Sequence, residues 1–491
     1  MGGVGGVVAA GHPLTAGAGA EVLRAGGNAV DAAVAAMLTS FVAEPMMTGL
    51  GGGGYLLVAP PDAEPVLLDF FVAAPGHGAD PAGRAPLHTA DVFFGDVLQV
   101  FGIGAPSCAV YGVPAGVAAA VARFGTVPLT ELAAPAAALA RAGVRLTEQQ
   151  AGMYTLLAPI LRSDPVAAAT FLVDGAPPSA GSVVRDPELA EALERLGGEG
   201  AAPFYTGDLG HAVSDAVLAA GGLITRADLA AYRVVERAPV RVPYRDREVD
   251  TNPPPSAGGV LLAYALSLLD RRPGPPDARE LIRAMEAAQD VRDAAFFAGL
   301  ATEGFGPAFL SSRVGSTTHI SVLDGDGWAA TVTCSNGEGS GVLLPGTGLH
   351  LNNMLGEEDL SPLGFFTHPP GRRLPSMMAP TLVRRDGQVE LVLGSAGSNR
   401  IRSALLQVIV NSVDRGLPVQ AAVDAPRLHA EDGVVHIEPG VAGAALAGAG
   451  RMVSRFPGPH TFFGGVQAVE RRDGVLAGGG DPRRGGAVVP A

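Results

Sequence analysis

The stretch "VGSTTHISVLDGDGWAATVTCSNGEGSG", Val314–Gly341, decides the fold. Two adjacent threonines, Thr317 and Thr318, precede the segments "HISVLD" and "WAATVTCS", which are rich in β-branched and apolar residues. The "GDG" between them is a turn signal, so the stretch predicts a β-hairpin. On spacing alone, Thr317 is a β-former at the entry of a strand, and a nucleophile is the alternative.

The nucleophile alternative has specific chemical requirements. A threonine hydroxyl reacts poorly unless a base lies beside it, and a free α-amine, with a pKa of about 7.7–8.0, can be that base. An internal Thr317 therefore requires cleavage of the Ser316–Thr317 bond, which attack of the hydroxyl on the preceding carbonyl can supply. The sequence pattern changes from helical to strand-like at this point.

The segments around the hairpin predict the architecture. "TAGAGAEVLRAGGNAVDAAVAAMLTSFV" predicts two helices separated by Gly26-Gly27, with Asn28 as N-cap of the second. "GGGGYLLVAP" and "PVLLDFFV" predict strands, and helical patterns dominate from Pro114 to Ala298. Strand patterns dominate after Thr317, apart from the helix "NRIRSALLQVIVNSVDRG". We expect an α+β fold with helices packed outside antiparallel sheets.

Composition excludes several classes of function. The chain has 491 residues, 47% of them hydrophobic and 17% charged, which is enough for a large core. The formal net charge is −14, which argues against a nucleic-acid partner. All 34 basic residues are arginine, so lysine chemistry is excluded. Cys108 and Cys334 lack metal-ligand spacing and are expected to be buried thiols, and no cofactor or metal is expected.

No membrane segment is predicted, since no uninterrupted apolar stretch of 18 residues occurs. The first residues, "MGGVGGVVAAGHPL", lack the basic region of a signal peptide, so the expected location is the cytoplasm. The loop "GLGGGGYLL" lacks the Lys-Ser/Thr of a phosphate loop, and close backbone packing explains its glycines better.

"GSAGSNR", Gly394–Arg400, narrowly misses the nucleophile elbow of serine hydrolases. It follows a predicted strand and opens a predicted helix, but its serines do not have the required spacing. Backbone N–H groups in such a turn can still stabilise an oxyanion.

Taken together, nine segments make the chain resemble the γ-glutamyltranspeptidase family of N-terminal-nucleophile hydrolases. They are, in order, "HPLTAGAGAEVLRAGGNAVDAAVAA", "GLGGGGYLLV", "LLDFFVAAP", "GVPAG", "NPPPSAGG", "TTHISVLDGDG", "GSGVLLPGTGLHLNN", "GSAGSNRIRSALLQVIVNSVDRGL" and "GGGDPRRGGA". The resemblance implies a four-layer αββα sandwich made as one precursor. It also implies a cut before Thr317, which leaves a helix-rich portion, 1–316, and a strand-rich portion, 317–491. The two would stay associated as a heterodimer, with a dimer of these as an open alternative.

The resemblance also implies catalytic roles. Thr317 matches the nucleophile, as the first residue of the family's Thr-Thr-His. Ser335 stands where the family has a threonine that orients the nucleophile, and a hydroxyl is retained. Gly397 and Ser398 match the paired glycines whose N–H groups form the oxyanion hole.

The implied substrate pocket departs from the family pattern, above all at Phe71. The family has here an arginine that binds the glutamyl α-carboxylate, and a phenyl ring cannot supply that bidentate contact. Weak turnover of ordinary glutathione is therefore expected.

Four further positions bear on the same pocket. The family's asparagine two residues beyond the orienting hydroxyl is Gly337 here, although Asn336 is adjacent. Of its paired serines, Ser376 remains and the second is Met377. Glu357 stands where an aspartate would hold the α-amine. Phe71, Asn336, Glu357 and Ser376 are therefore the candidate substrate-binding residues.

The leading hypothesis is a self-processing hydrolase or acyltransferase that acts through Thr317 on an amide or related carbonyl of a small molecule. One alternative uses the same chemistry to hydrolyse a C–C bond in specialised metabolism, such as antibiotic biosynthesis with alkylproline units. The other is an unprocessed family member that serves as a binding protein.

Overall fold

The computed structural model describes residues 5–94, 97–290, 296, 300, 318–361, 364–431, 433–441 and 451–491. It confirms the predicted hairpin: strands β11 (Thr318–Asp324) and β12 (Ala329–Ser335) are antiparallel, with Ile320 opposite Val332. The catalytic threonine expected from the sequence, Thr317, lies outside the described residues.

Strands occur along the whole described chain. The others are β1 (Gly6–Ala10), β2 (Gly53–Ala59), β3 (Val66–Phe70), β4 (His88–Phe94), β5 (Val97–Ile103), β6 (Val144–Arg145), β7 (Val183–Val184), β8 (Val235–Arg237), β9 (Val240–Tyr244), β10 (Arg247–Thr251), β13 (Leu343–Leu344), β14 (Leu349–His350), β15 (Thr381–Arg385), β16 (Gln388–Ala396), β17 (Leu428–Glu431), β18 (Val434–Ile437), β19 (Met452–Arg455), β20 (Gly465–Arg472), β21 (Val475–Gly480) and β22 (Ala487–Pro490).

Most helices precede the hairpin in sequence. They are α1 (Pro13–Arg24), α2 (Ala29–Ala43), α3 (Val113–Phe124), α4 (Leu129–Ala142), α5 (Glu148–Leu161), α6 (Pro165–Phe171), α7 (Pro187–Glu199), α8 (Ala202–Tyr205), α9 (Asp208–Ala219), α10 (Arg226–Ala231), α11 (Ala257–Asp270), α12 (Ala278–Asp290), α13 (Ile401–Val413) and α14 (Val419–Asp424).

Two antiparallel sheets form the centre. The first has seven strands in the order β22-β1-β11-β12-β2-β3-β8, and the second has six in the order β21-β20-β16-β15-β10-β9. Each sheet contains strands from both sides of residue 317. In the first sheet, β1 lies between β11 and β22, which both come from the later side.

The side chains of β1 show how the layers stack. Successive residues of a strand point to opposite faces. Val8 and Ala10 belong to the core that the first sheet shares with helices α1–α4, whereas Val7 and Ala9 belong to the core between the sheets. Helices α11, α12 and α13 cover the outer face of the second sheet. The four-layer αββα sandwich is therefore confirmed.

Other local predictions are also confirmed. Asn28 caps α2 by accepting hydrogen bonds from the N–H groups of Val30 and Asp31. Cys108 and Cys334 are buried free thiols. In the glycine loop before β2, a β-carbon at Gly51 would lie 2.2 Å from a backbone oxygen of β14, so close backbone packing explains this loop. Across the described ranges, every helix is too short or too polar to cross a bilayer.

Candidate active site

Strand ends from both sheets meet where β11 begins. Thr318, the first described residue of that strand, pairs with Cys334, and the neighbouring Ser335 at the end of β12 pairs with Gly53 of β2. In the second sheet, β16 ends at Ala396, directly before the predicted oxyanion turn. A β-carbon at Gly394 of β16 would lie 2.2 Å from the ring of His319, so the end of β16 and the start of β11 lie at the same end of the sandwich.

The imidazole of His319 lies between the start of β11 and strand β16 of the second sheet. Its Nδ1 lies 2.9 Å from the hydroxyl of Thr333, and its Nε2 lies 2.8 Å from that of Ser321 and 2.9 Å from that of Thr331. Burial lowers the pKa of His319 to about 3, so the ring is neutral. A β-carbon at Gly394 would lie 2.2 Å from this ring. His319 therefore packs as a neutral ring against β16.

The hydroxyl of Ser335 is buried beside the start of β11. Its Oγ accepts a hydrogen bond of 2.8 Å from the N–H of Gly337. Among the described residues, no acceptor takes the proton of this hydroxyl. Ser335 therefore has a hydrogen to donate, which is what an orienting group for a neighbouring nucleophile requires.

The predicted oxyanion turn begins at Gly397, whose φ of +124° favours glycine. Its backbone N–H has no acceptor among the described residues. Ser398 follows in a short 3-10 turn that leads into α13. An unsatisfied N–H at the end of a strand is the kind of donor that stabilises an oxyanion.

Phe71 occupies a dry position between the sheets. Its ring is stacked on Tyr55 at a centroid distance of 5.4 Å, and it is almost fully buried. The neighbouring arginine, Arg373, donates to the buried carboxylate of Asp69 and lies over the ring of Tyr232. Phe71 is thus part of the core, and Arg373 is already engaged by a carboxylate.

The other three predicted substrate residues, Glu357, Asn336 and Ser376, have different surroundings. Glu357 lies next to the turn after Ser335, since a β-carbon at Gly337 would lie 2.1 Å from its Oε1. Asn336 turns away and donates to the carbonyl of His350. Ser376 is fully buried, and its Oγ accepts from the N–H of Met378. Their roles in substrate binding stay predictions.

A cavity of about 360 Å³ lies beside the start of β11, where His319 of β11 and Ala396 of β16 are among its lining residues. Sequence analysis did not identify it, because its walls come from segments distant in sequence. Its described lining comprises Gly11–Pro13, Glu44–Met47, Thr147–Gln150, Met153, Tyr154, Leu156, His319, Glu338, Ala396, Thr461, Gly465, Gln467, Arg484 and Gly485.

Two ionisable groups lie together on one wall of the cavity. The carboxylate of Glu44, just after α2, accepts a hydrogen bond from the hydroxyl of Thr15, and burial raises the pKa of Glu44 to about 7. The Nδ1 of His12 accepts from the N–H of Leu14, so its Nε2 carries the proton. That Nε2 is buried without a partner in the described structure, and burial lowers the pKa of His12 to about 4.

Arg484 lines the same cavity near the oxyanion turn. One of its nitrogens would lie 3.6 Å from a β-carbon at Gly397, and it donates to the carbonyl of Thr461. Burial, followed by repulsion from Arg400, lowers the pKa of Arg484 to about 10. The preceding Arg483 is anchored by a buried ion pair with Glu438, which fixes this segment.

A second constellation resembles a serine–histidine–carboxylate triad. Ser403 Oγ lies 2.9 Å from Nδ1 of His429, whose Nε2 lies 3.1 Å from Glu431. Ser403 is 2% exposed and His429 is fully buried, so a substrate carbonyl has no access to this hydroxyl. We assign these residues a structural role. Within the described ranges, no cluster of three or more metal-ligating side chains occurs.

Comparisons with known proteins agree with this geometry. The family model described as Gamma-glutamyltranspeptidase matches residues 15–296 and 277–491. The Acylase ACY 1 proenzyme of Pseudomonas sp. (strain SE83) is 34% identical, over 99% of this chain and 93% of that protein. The Glutathione hydrolase proenzyme of Escherichia coli (strain K12) is 31% identical, over 84% and 78%.

Among solved structures, the cephalosporin acylase from Bacillus halodurans superimposes with a TM-score of 0.85 at 27% identity. The match covers 99% of this chain and 96% of that one. Both the sequence matches and the structural match extend over nearly the whole sandwich. The chain belongs to the γ-glutamyltranspeptidase family of N-terminal-nucleophile hydrolases.

Proposed function

We propose that the protein is a self-processing amide hydrolase or acyltransferase that acts through Thr317 as a new N-terminal residue, after a cut that leaves chains 1–316 and 317–491 as a heterodimer. The contact between His319 and Gly394 carries this proposal, because it holds the strand that follows Thr317 against the strand that ends at the oxyanion turn. The names of two relatives contain the word proenzyme, which supports cleavage of the chain before Thr317.

The proposed reaction follows the roles implied by the family. The hydroxyl of Thr317 attacks a substrate carbonyl while its own α-amine accepts the proton, and Ser335 orients the hydroxyl. The N–H groups of Gly397 and Ser398 stabilise the oxyanion. The amine leaves, and water or a second amine then releases the acyl group from Thr317.

The proposed substrate is an acylated amine other than an ordinary γ-glutamyl compound. The position of Phe71 supports this, since a ring held in the core cannot bind an α-carboxylate. The similarity to an acylase over 99% of the chain points the same way. A cytoplasmic location stays part of the proposal, and fractionation of the producing cells tests it.

Processing is tested on a denaturing gel with N-terminal sequencing of the smaller product. We expect two chains, the smaller beginning TTHIS, and a single uncut, inactive chain for Thr317→Ala. A wild-type protein that is active yet uncut, or a Thr317→Ala variant that is cut normally, overturns the proposal. Release assays with γ-glutamyl, other acyl-amine and β-keto substrates then separate amide from C–C bond cleavage, and we expect acyl amines to be the best substrates.

A further inference from the structure

We propose that the cavity beside the start of β11 binds the amine component of the reaction, with Glu44 and His12 as its recognition groups for a primary ammonium and an adjacent carbonyl oxygen. This inference rests on the proposed function, since it assigns the cavity to the amine that is released when the acyl-enzyme forms, or to the amine that attacks the acyl-enzyme. The described lining of this cavity includes neither Phe71 nor Ser335, the residues predicted on the acyl side.

Glu44 supplies the anionic recognition group. Its carboxylate lines the cavity, accepts from Thr15, and has no arginine or histidine within ion-pair distance among the described residues. The N-terminal end of α1 lies beside it, because a β-carbon at Gly11 would lie 2.5 Å from its Oε2. A carboxylate with this small set of partners has acceptor capacity left for a ligand.

His12 supplies a donor next to that acceptor. Its Nδ1 caps α1, so its Nε2–H is the only group of the ring left to bond. The residue is 6% exposed, and this N–H has no partner in the described structure. A buried donor without an acceptor is destabilising, and an oxygen of a ligand satisfies it.

One part of the wall fits an apolar body, while Glu338, Gln467 and Arg484 are polar members of the same lining. Met46, Met47, Met153 and Leu156 line the cavity, and its volume lies in the range of small-molecule sites. Methionine side chains adapt to ligands of different shape. The complementary ligand thus has an ammonium for Glu44, a carbonyl oxygen for His12, and an apolar group against the methionines.

Three related probes separate these contributions. Phenylalaninamide carries the ammonium and the carbonyl, 2-phenylethylamine lacks the carboxamide, and 3-phenylpropionamide lacks the amine. Their affinities are measured by calorimetry with the wild-type enzyme, without an acyl donor, at pH 7.5. We expect phenylalaninamide to bind tightest of the three.

Two variants test the two groups independently. Glu44→Gln should lower the affinity for phenylalaninamide and for 2-phenylethylamine by about tenfold to hundredfold. It should leave the affinity for 3-phenylpropionamide unchanged. His12→Asn keeps a cap for α1 through its side-chain oxygen and removes the Nε2–H. The His12→Asn variant should have a lower affinity for phenylalaninamide and 3-phenylpropionamide, and an unchanged affinity for 2-phenylethylamine.

Glu148→Gln is the matched control, because Glu148 also lines the cavity but is exposed at the start of α5. It should leave all three affinities within about twofold. The inference is overturned if Glu44→Gln and Glu148→Gln bind the amines alike, or if no probe binds the folded wild-type enzyme. The result is separable from the proposed function, since turnover that persists in Thr317→Ala refutes that function without altering these affinities.

Discussion

Gly397 and Gly464 face each other without room for a side chain between them. A β-carbon at Gly397 would lie 2.6 Å from the α-carbon of Gly464, and the φ of Gly397 is +124°. The turn after β16 is therefore tightly packed, and within the described part of the chain the N–H of Gly397 has no acceptor.

Gly397→Ala should reduce turnover by about 100-fold or more, because the overlap displaces an oxyanion donor. It should also lower the free energy of unfolding by about 1–3 kcal/mol, since the backbone is strained. Initial rates and urea unfolding measure the two effects. Gly416→Ala is the control: its φ is +64° but nothing lies within 4 Å, so it should lose some stability and no activity. Equal rates for Gly397→Ala and wild type would refute the assignment.

Ser335→Ala should slow both processing and turnover, because it removes the hydroxyl that we propose orients Thr317. We expect kcat to fall by about 10–100-fold, with little change in KM. The lost bond with Gly337 should reduce stability by only about 1 kcal/mol. Ser335→Thr restores the hydroxyl and should recover most of kcat. A purely structural role for Ser335 predicts instead that kcat follows the thermal stability of each variant.

Phe71→Arg should not create γ-glutamyl hydrolysis. The new guanidinium enters the core between the sheets, where Asp69 already binds Arg237 and Arg373. An unpaired charge in such a place should lower the free energy of unfolding by roughly 3–5 kcal/mol. Phe93→Arg, at a side chain that is 59% exposed, should leave stability unchanged. A stable Phe71→Arg enzyme that hydrolyses γ-glutamyl anilides would contradict the placement.

His319 should make the protein sensitive to acid. Its pKa in the folded state is about 3, below the unfolded value of about 6.5, so only the unfolded state takes up this proton between these values. Stability is complete above pH 6.5 and falls as the pH drops, by about 1.4 kcal/mol per pH unit for this residue. Urea unfolding at pH 7.5, 6 and 5 should give a smaller pH slope for His319→Gln. The control Thr333→Val removes a neighbouring hydroxyl and should keep the wild-type dependence of the free energy of unfolding on pH. The same dependence in the wild type, His319→Gln and Thr333→Val would contradict this account.

Local features of the fold could be predicted because short-range chemistry determines them. The alternation on both sides of the "GDG" turn predicts the hairpin, and Asn28 after two glycines predicts the start of α2. The strand before Gly397 and the helix after it follow from the same patterns. In each case the local sequence of the strand, turn or helix is enough to predict that element.

The pocket could not be predicted in this way. Asn336 is next to Gly337 in sequence, yet its amide extends into the space left by Gly49 and Gly52, whose missing side chains give it room. Glu44 and His12 come together only because α1 packs beside α2, which no local pattern encodes. A glutamate directly after the apolar stretch "AVDAAVAAMLTSFVA" is a feature of the sequence that could have indicated this wall.

The strand order of the first sheet has a consequence for synthesis of the protein. Strand β1 is translated well before its two partners, Thr318–Asp324 and Ala487–Pro490. The sheet therefore closes only after the second of these partners has been made, and pairing over such long sequence separations is slow. Until these partners have been made, the apolar residues Val7 and Val8 have no partner strand, and apolar strand surface exposed in this way favours aggregation.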